Sequence, residues 1–135
     1  MTRTARTAVM TLALLFVGLA VSSETWAGFQ ETVLVTIDMT NRGAGGSLAD
    51  ARSSADSVQY IGCIVAATNP GGTTMYCSAK DSTGTYVNCT SSDPDLVDAA
   101  RSVKGDSDIA FYWDSNANCT LLWVQNYSVN SPKQP

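Results

Sequence analysis

Four cysteines and the absence of histidine limit the chemistry that this chain could perform. The cysteines are Cys63, Cys77, Cys89 and Cys119, and their spacings of 14, 12 and 30 residues include no closely spaced pair. Zinc sites usually contain such a pair, or histidine ligands, and the chain contains no histidine. The lack of histidine also excludes Ser–His and Cys–His nucleophile pairs and the commonest general base at neutral pH. We therefore predict disulfides, no metal site and no cofactor.

Carboxylates are the remaining groups for acid–base chemistry, and most of them fall in predicted turns or helix caps. Asp93, Asp95 and Asp98 form a cluster, but capping and the helix dipole also favour aspartate at the start of a helix. Residues 114–118 read Asp-Ser-Asn-Ala-Asn, like the start of a calcium loop, but Cys119 stands where such a loop has glycine. These patterns favour a cap and a turn, so we assign no catalytic residue.

The strongest candidate for a binding surface is this turn, together with the aromatic residues around it. Aromatic rings beside Asx side chains are groups that a neutral sugar or a partner protein can use. The alternative interpretation is that the tryptophans pack in the core of the final hairpin. The predicted binding residues are Trp113, Asp114, Asn116, Asn118, Trp123 and Tyr127.

A sheet is needed to position these residues, and the chain contains about six predicted strands. Alternating or β-branched apolar runs predict them at residues 28–38, 58–67, 73–80, 85–90, 107–113 and 119–128. One short helix is predicted over 94–104, with Asp93 as its N-cap and Pro94 at its first position. This order of elements predicts an α+β fold, a small single domain with a mostly antiparallel sheet.

Two segments lack a regular apolar pattern. Residues 39–57 are rich in glycine and small polar residues, which predicts a flexible loop. Residues 129–135 are predicted to form a polar tail.

The disulfide pairing follows from the predicted turns, although four cysteines allow three connectivities. The turn signals on either side of Cys77 place it opposite both Cys63 and Cys89. We prefer Cys63–Cys77 with Cys89–Cys119, because paired Cα atoms must lie within about 7 Å. The second bond would then join the three-stranded meander to the last strand.

The N-terminal segment has the pattern of an export signal. Arg3 and Arg6 precede the apolar run 8–21, and small residues precede a cleavage position after Ala27. A membrane span needs about 20 residues, so this 14-residue run is too short. We predict a signal peptide over 1–27 and one exported domain over 28–135, in a periplasm or outside the cell. Its disulfides would form there.

Charge excludes two classes of partner. Removing Arg3, Arg6 and Glu24 with the signal peptide changes the net charge from −4 to −5. A small acidic domain is repelled by nucleic acid and by anionic membrane surfaces. No second apolar run is long enough to span a membrane, so none is predicted after cleavage.

The preferred function is therefore a non-enzymatic binding module for a carbohydrate or a protein. One alternative is an extracellular inhibitor or assembly component that inserts the predicted loop over residues 41–57 into its partner. The other is a carboxylate-dependent hydrolase, which requires two carboxyl groups in one cleft. The sequence predicts no oligomeric state.

Overall fold

Seven strands and two short helices make up the protein, which is described by a computed structural model covering residues 28–132. The α+β class is confirmed, and the sheets are antiparallel throughout. The predicted signal peptide and the last three residues lie outside the described part. The elements are β1 Thr36–Asp38, β2 Gly43–Ser47, α1 Leu48–Ser53, β3 Tyr60–Thr68, β4 Gly72–Lys80, β5 Tyr86–Ser91, α2 Pro94–Arg101, β6 Asp108–Trp113 and β7 Cys119–Gln125.

The strands form two sheets rather than one. The order is β1-β2-β6-β7 in the four-stranded sheet and β3-β4-β5 in the three-stranded sheet. The three-stranded sheet is the predicted meander, in which both hairpins have the expected partners. The extra strand arises because β2, which lies in the predicted loop, pairs with both β1 and β6.

The prediction of a flexible loop over 39–57 is wrong for the residues that form β2 and α1. Strand β2 is mostly buried between two neighbouring strands, and the hydroxyl of Ser47 caps α1 by accepting from the Asp50 amide at 3.2 Å. The segment contains few large apolar residues, so its sequence gives little sign of burial. Glycine and alanine are buried here by close backbone packing, which a hydropathy pattern does not detect.

Helix α2 is confirmed, but it ends at Arg101 rather than at residue 104. The Asp93 side chain caps it as predicted and accepts from the amides of Asp95 and Leu96 at 3.0 and 3.2 Å. At the other end, the Val103 amide donates to the carbonyl of Ala100, three residues back. This tighter turn ends the α-helix early.

Both predicted disulfides are present, and they make different connections. Cys63–Cys77 joins neighbouring strands β3 and β4, with a Cα–Cα distance of 4.1 Å. Cys89–Cys119 joins β5 to β7 and so links the two sheets, with a Cα–Cα distance of 5.0 Å. Two disulfides suit an oxidising compartment. The shared core lies between the inner faces of the sheets and the helices, with Phe111 and other residues fully buried there.

The predicted polar tail begins as an anchored segment. Asn130 is buried, and its side-chain amide donates to the carbonyls of Asp106 and Gln125 at 3.0 Å each. The amide of Glu31 donates to the carbonyl of Val129 at 3.0 Å, so both ends of the described chain meet. Within residues 28–132, neither helix has the length and apolarity needed to cross a membrane.

Candidate functional site

The outer face of the four-stranded sheet carries a groove, and strand alternation determines which side chains line it. Phe111 and Leu122 lie opposite each other and point into the core. Because successive strand residues point to opposite faces, Ala110, Tyr112 and Trp123 point outward. Tyr112 and Trp123 are 42% and 60% exposed.

Small residues form the floor of the groove. Gly45 of β2 lies beside Ala110 of β6, and Thr36 of β1 lies on the other side of Gly45. These three residues are shared by two adjoining cavities of about 600 and 320 Å³. The two cavities therefore form one continuous depression across the sheet, with no large side chain along its floor.

Aromatic rings stand at two points of this depression. The ring of Tyr112 lies on Gly43, so close that an added Cβ at Gly43 would come within 2.6 Å of its Cε1 atom. Trp123 lines the smaller cavity. Tyr112 lies opposite Leu121, which is two residues from Trp123 on β7, so Tyr112 and Trp123 occupy diagonal positions on the same face of the sheet. Such positions are about 7–8 Å apart, within reach of aromatic side chains.

Carboxylates line both parts of the groove. Asp38 borders the larger cavity, and Glu31 and Asp108 border the smaller one. The amide of Asn41 donates to Asp38 at 3.0 Å, and this bond lowers the pKa of the Asp38 carboxyl. No lysine or arginine is among the residues that line either cavity, so the groove is acidic.

Asp108 is in an unusual environment for a carboxylate. Its Oδ1 atom is buried and has no hydrogen-bond partner among the described residues. Desolvation raises the pKa of Asp108, and the negative charges of Asp50 and Glu31 raise it further, while the Ser47 hydroxyl acts in the opposite direction. Asp108 is therefore easier to protonate than an ordinary aspartate.

Buried polar contacts hold the chain segment beside the groove. The Asp50 carboxylate accepts from the Val33 amide at 2.8 Å, and the Gln59 side chain accepts from the Val35 amide at 3.0 Å. Asp56 in turn accepts from the backbone and side chain of Gln59, which lowers the pKa of Asp56 to about 2. These contacts fix residues 33–35 beside the sheet.

The predicted binding residues lie at several different places. Trp113 is half-buried at the edge of the core, with its ring centroid 5.9 Å from that of Phe111. The Asp114 carboxylate accepts from the amides of Asn116 and Asn118 and from the Asn118 side chain, at 2.8 to 2.9 Å. These oxygens hold the turn closed, and the Asn118 bonds are the main reason that the pKa of Asp114 is lowered.

The other two predicted residues are both exposed. Trp123 belongs to the groove. Tyr127, which is 65% exposed, follows β7 and lines neither cavity. The register of β6 and β7 shifts between Tyr112 and Trp113. This bulge separates the predicted turn from the groove and lets Cys119 point inward to its disulfide partner.

Sequence reasoning missed most of the groove. The residues it did not identify include Glu31, Thr36, Asp38, Gly43, Gly45, Asp108, Ala110 and Tyr112. The sequence did contain one indication of the groove. Tyr112 lies between Phe111 and Trp113, so on a strand its side chain points to the opposite face from theirs. The pairing of β2 with β6 had no comparable signal, since β2 has the composition of a loop.

The outer face of the three-stranded sheet also carries aromatic residues. Tyr60, Tyr76 and Tyr86 lie on this face, and the hydroxyls of Tyr76 and Tyr86 are in contact. That hydrogen bond, together with desolvation, raises the pKa of Tyr76 to about 12. The Tyr76 phenol is therefore neutral at physiological pH.

Within the described residues, no group of three His, Cys, Asp or Glu side chains could hold a metal ion. No protein-family model, no curated protein and no solved structure matches this chain. The groove on the four-stranded sheet is thus the candidate site on its geometry alone.

Proposed function

We propose that this protein is an exported, non-enzymatic binding module that takes a neutral carbohydrate into the groove of the four-stranded sheet. The observation that carries the proposal is the pair of exposed rings, Tyr112 and Trp123, beside a floor of glycine and alanine. Sugar rings present flat apolar faces that stack on aromatic side chains, and a floor without large side chains gives the chain of sugars room to lie.

The charge of the groove supports a neutral ligand. Its lining includes Glu31, Asp38 and Asp108 but no basic residue, so phosphorylated or sulfated polymers would be repelled. Carboxylate and amide groups at the rim can accept or donate hydrogen bonds to sugar hydroxyls. The side-chain oxygen of Asn41 and the side chain of Gln125 are such groups.

The proposed compartment is outside the cytoplasm, either a periplasm or the extracellular space. Two disulfides and the predicted signal peptide over 1–27 support it. N-terminal sequencing of protein secreted by the native host would test this, with a first residue of Gly28 expected. Full-length protein with four free thiols would contradict it.

The binding proposal is tested with a panel of soluble neutral and anionic oligosaccharides, using tryptophan fluorescence and calorimetry. We expect binding of a neutral member, no binding of the anionic members, and a lower but measurable affinity in Trp123→Ala and in Tyr112→Ala. Both side chains are on the surface, so the melting temperature should change little.

The matched control is Tyr86→Ala, which removes a ring from the other sheet that is about as exposed as that of Tyr112. We expect this variant to bind as the wild type does. If Tyr86→Ala weakened binding as much as Trp123→Ala, the groove would not be the site. If no oligosaccharide bound, the carbohydrate proposal would fail, and a protein ligand would become the better candidate.

A second candidate is a carboxylate-dependent glycoside hydrolase, and one observation favours it. Glu31 and Asp108 border the same cavity, and burial raises the pKa of Asp108. Such enzymes use one protonated and one ionised carboxyl group on either side of the scissile bond. In this role Asp108 would be the acid and Glu31 the base or nucleophile.

The two candidates are separated by product analysis. A hydrolase would release new reducing ends from a bound oligosaccharide, and Asp108→Asn or Glu31→Gln would abolish this release without abolishing binding. A binding module would leave the oligosaccharide intact under the same conditions.

A further inference from the structure

Strand β3 is an edge strand of the three-stranded sheet. The strand order β3-β4-β5 leaves one side of β3 without a neighbouring strand. Its nine residues, Tyr60–Thr68, contain no proline and no charged side chain, and most of its second half is exposed. Proteins usually protect such edges with charge, proline or a bulge. The absence of these features here favours pairing of this edge with another strand.

The pairing of β3 with β4 determines which backbone groups face the free side. Cys63 and Cys77 are opposite each other with Cα atoms 4.1 Å apart, the short spacing of a non-hydrogen-bonded antiparallel pair. The Asp81 amide donates to the carbonyl of Thr85, so odd-numbered residues of β4 bond toward β5. Each odd-numbered residue of β3 lies opposite an odd-numbered residue of β4. Since those β4 residues bond toward β5, they do not bond to β3. Both observations therefore place the backbone groups of odd-numbered β3 residues on the side away from β4.

Four residues therefore offer an amide and a carbonyl to the free side: Ile61, Cys63, Val65 and Ala67. Among residues 28–132, nothing bonds to their backbone groups on that side. Together they present eight hydrogen-bonding groups in a row. An extended strand placed there would satisfy all of them.

We propose that the strand placed there is β3 of a second copy of this protein. In an antiparallel pair centred on Ile64, Ile61 lies opposite Ala67 of the second copy, and Cys63 lies opposite Val65. Every free amide then meets a free carbonyl, because the four positions are symmetric about Ile64. The result is one six-stranded sheet running through both copies, with two-fold symmetry.

Side chains favour this occupant over a strand from another protein. Ile64 is 64% exposed on the outer face, and in the proposed register it lies directly against Ile64 of the second copy. Two exposed isoleucines bury each other at the centre of the interface, and the uncharged strand introduces no like-charge pair. One exposed residue thus supplies both halves of an apolar contact.

The proposal is tested with oxidised protein lacking residues 1–27, by sedimentation velocity over a range of concentrations. We expect a reversible dimer in the wild type. In Ile64→Lys, we expect the dissociation constant to rise about a hundredfold, because two isoleucines that bury each other are replaced by two facing charges. Thr90→Lys is the matched control, since Thr90 is exposed on the same face and in the same row, two strands from the edge.

Amide hydrogen exchange identifies the interface. At low concentration, the Ile64 amide should be protected by β4, while the amides of Cys63 and Val65 should exchange quickly. At high concentration, all three should be protected. A dimer in which the odd-numbered amides stay unprotected would overturn the proposal. A protein that is monomeric at every concentration would also overturn it, and would leave the edge to a strand from another protein.

Discussion

Replacing Gly45 or Gly46 of β2 by alanine should have different effects on stability, although the two residues are adjacent in sequence. At Gly46, an added Cβ would come within 3.0 Å of the Cα atom of Val35, which is backbone and cannot rotate away. At Gly45, the nearest contact would be an ordinary 3.5 Å from the Cβ atom of Ala110. Alanine therefore fits at Gly45 and not at Gly46.

The expected magnitudes follow from these distances. Overpacking a tight site costs about 1–3 kcal/mol, and replacing glycine by alanine regains about 0.4–1 kcal/mol by restricting the unfolded chain. Gly46→Ala should therefore lower the free energy of unfolding by about 1–2 kcal/mol, which is roughly 4–8 °C in melting temperature. Gly45→Ala should leave it unchanged or raise it slightly, as should Gly62→Ala on the other sheet, where nothing lies within 4 Å.

Gly43→Ala tests the groove rather than the stability. The new methyl group would overlap the Tyr112 ring, which must move by roughly 1 Å to regain an ordinary contact. Since the ring is a flexible surface side chain, the melting temperature should change little, while affinity for the groove ligand falls. The displacement acts only through Tyr112, so adding Gly43→Ala to Tyr112→Ala should cause no further loss of affinity.

Urea unfolding and ligand titration of the four variants measure these effects. The reasoning would be refuted if Gly46→Ala were as stable as Gly45→Ala, because the close approach of β2 to Val35 would then be absent. It would also be refuted if Gly43→Ala weakened binding equally in the presence and absence of the Tyr112 ring.

Three further predictions concern stability. Replacing Cys89 and Cys119 by alanine should lower the free energy of unfolding by about 3–4 kcal/mol in denaturant titration, since the bond closes a 30-residue loop between the two sheets. The folded-state pKa of Asp56 is lowered from 3.8 to about 2, so its contribution is present above pH 3.8 and lost as the pH falls toward 2; the stability difference between wild type and Asp56→Asn should shrink over that range. Burial raises the pKa of Asp108, so its ionised form destabilises the fold at neutral pH, and Asp108→Asn should melt at a higher temperature there but not in acid.

The parts of the fold that could be predicted are those with strong local patterns. The meander was predictable because β-branched runs alternate with turn signals, and its geometry then placed Cys77 opposite Cys63. Helix α2 was predictable from Asp93 and Pro94. In each case, residues close together in sequence determine the structure.

Strand β2 could not be predicted, because its burial depends on partners far away in sequence. The strand reads Gly-Ala-Gly-Gly-Ser, which is typical of loops, and only its pairing with β1 and β6 makes it a strand. The groove depends on the same pairing, since Gly45 forms its floor. The candidate site was therefore missed for the same physical reason as the strand. Trp123 was identified because an aromatic residue near a turn is noticeable without any partner.

The two proposed surfaces belong to different sheets, so a ligand in the groove and a second copy at the edge of β3 can be bound at the same time. The groove lies on the face of β1-β2-β6-β7, and the proposed dimer forms at the edge of β3. A dimer would then carry two grooves, and a polymeric carbohydrate could engage both, which raises the apparent affinity without any new contact. Ile64→Lys should consequently weaken binding to an immobilised polymer while leaving affinity for a short soluble oligosaccharide unchanged. Equal weakening of both would mean that the edge of β3 influences the groove directly, and the two surfaces would no longer be independent.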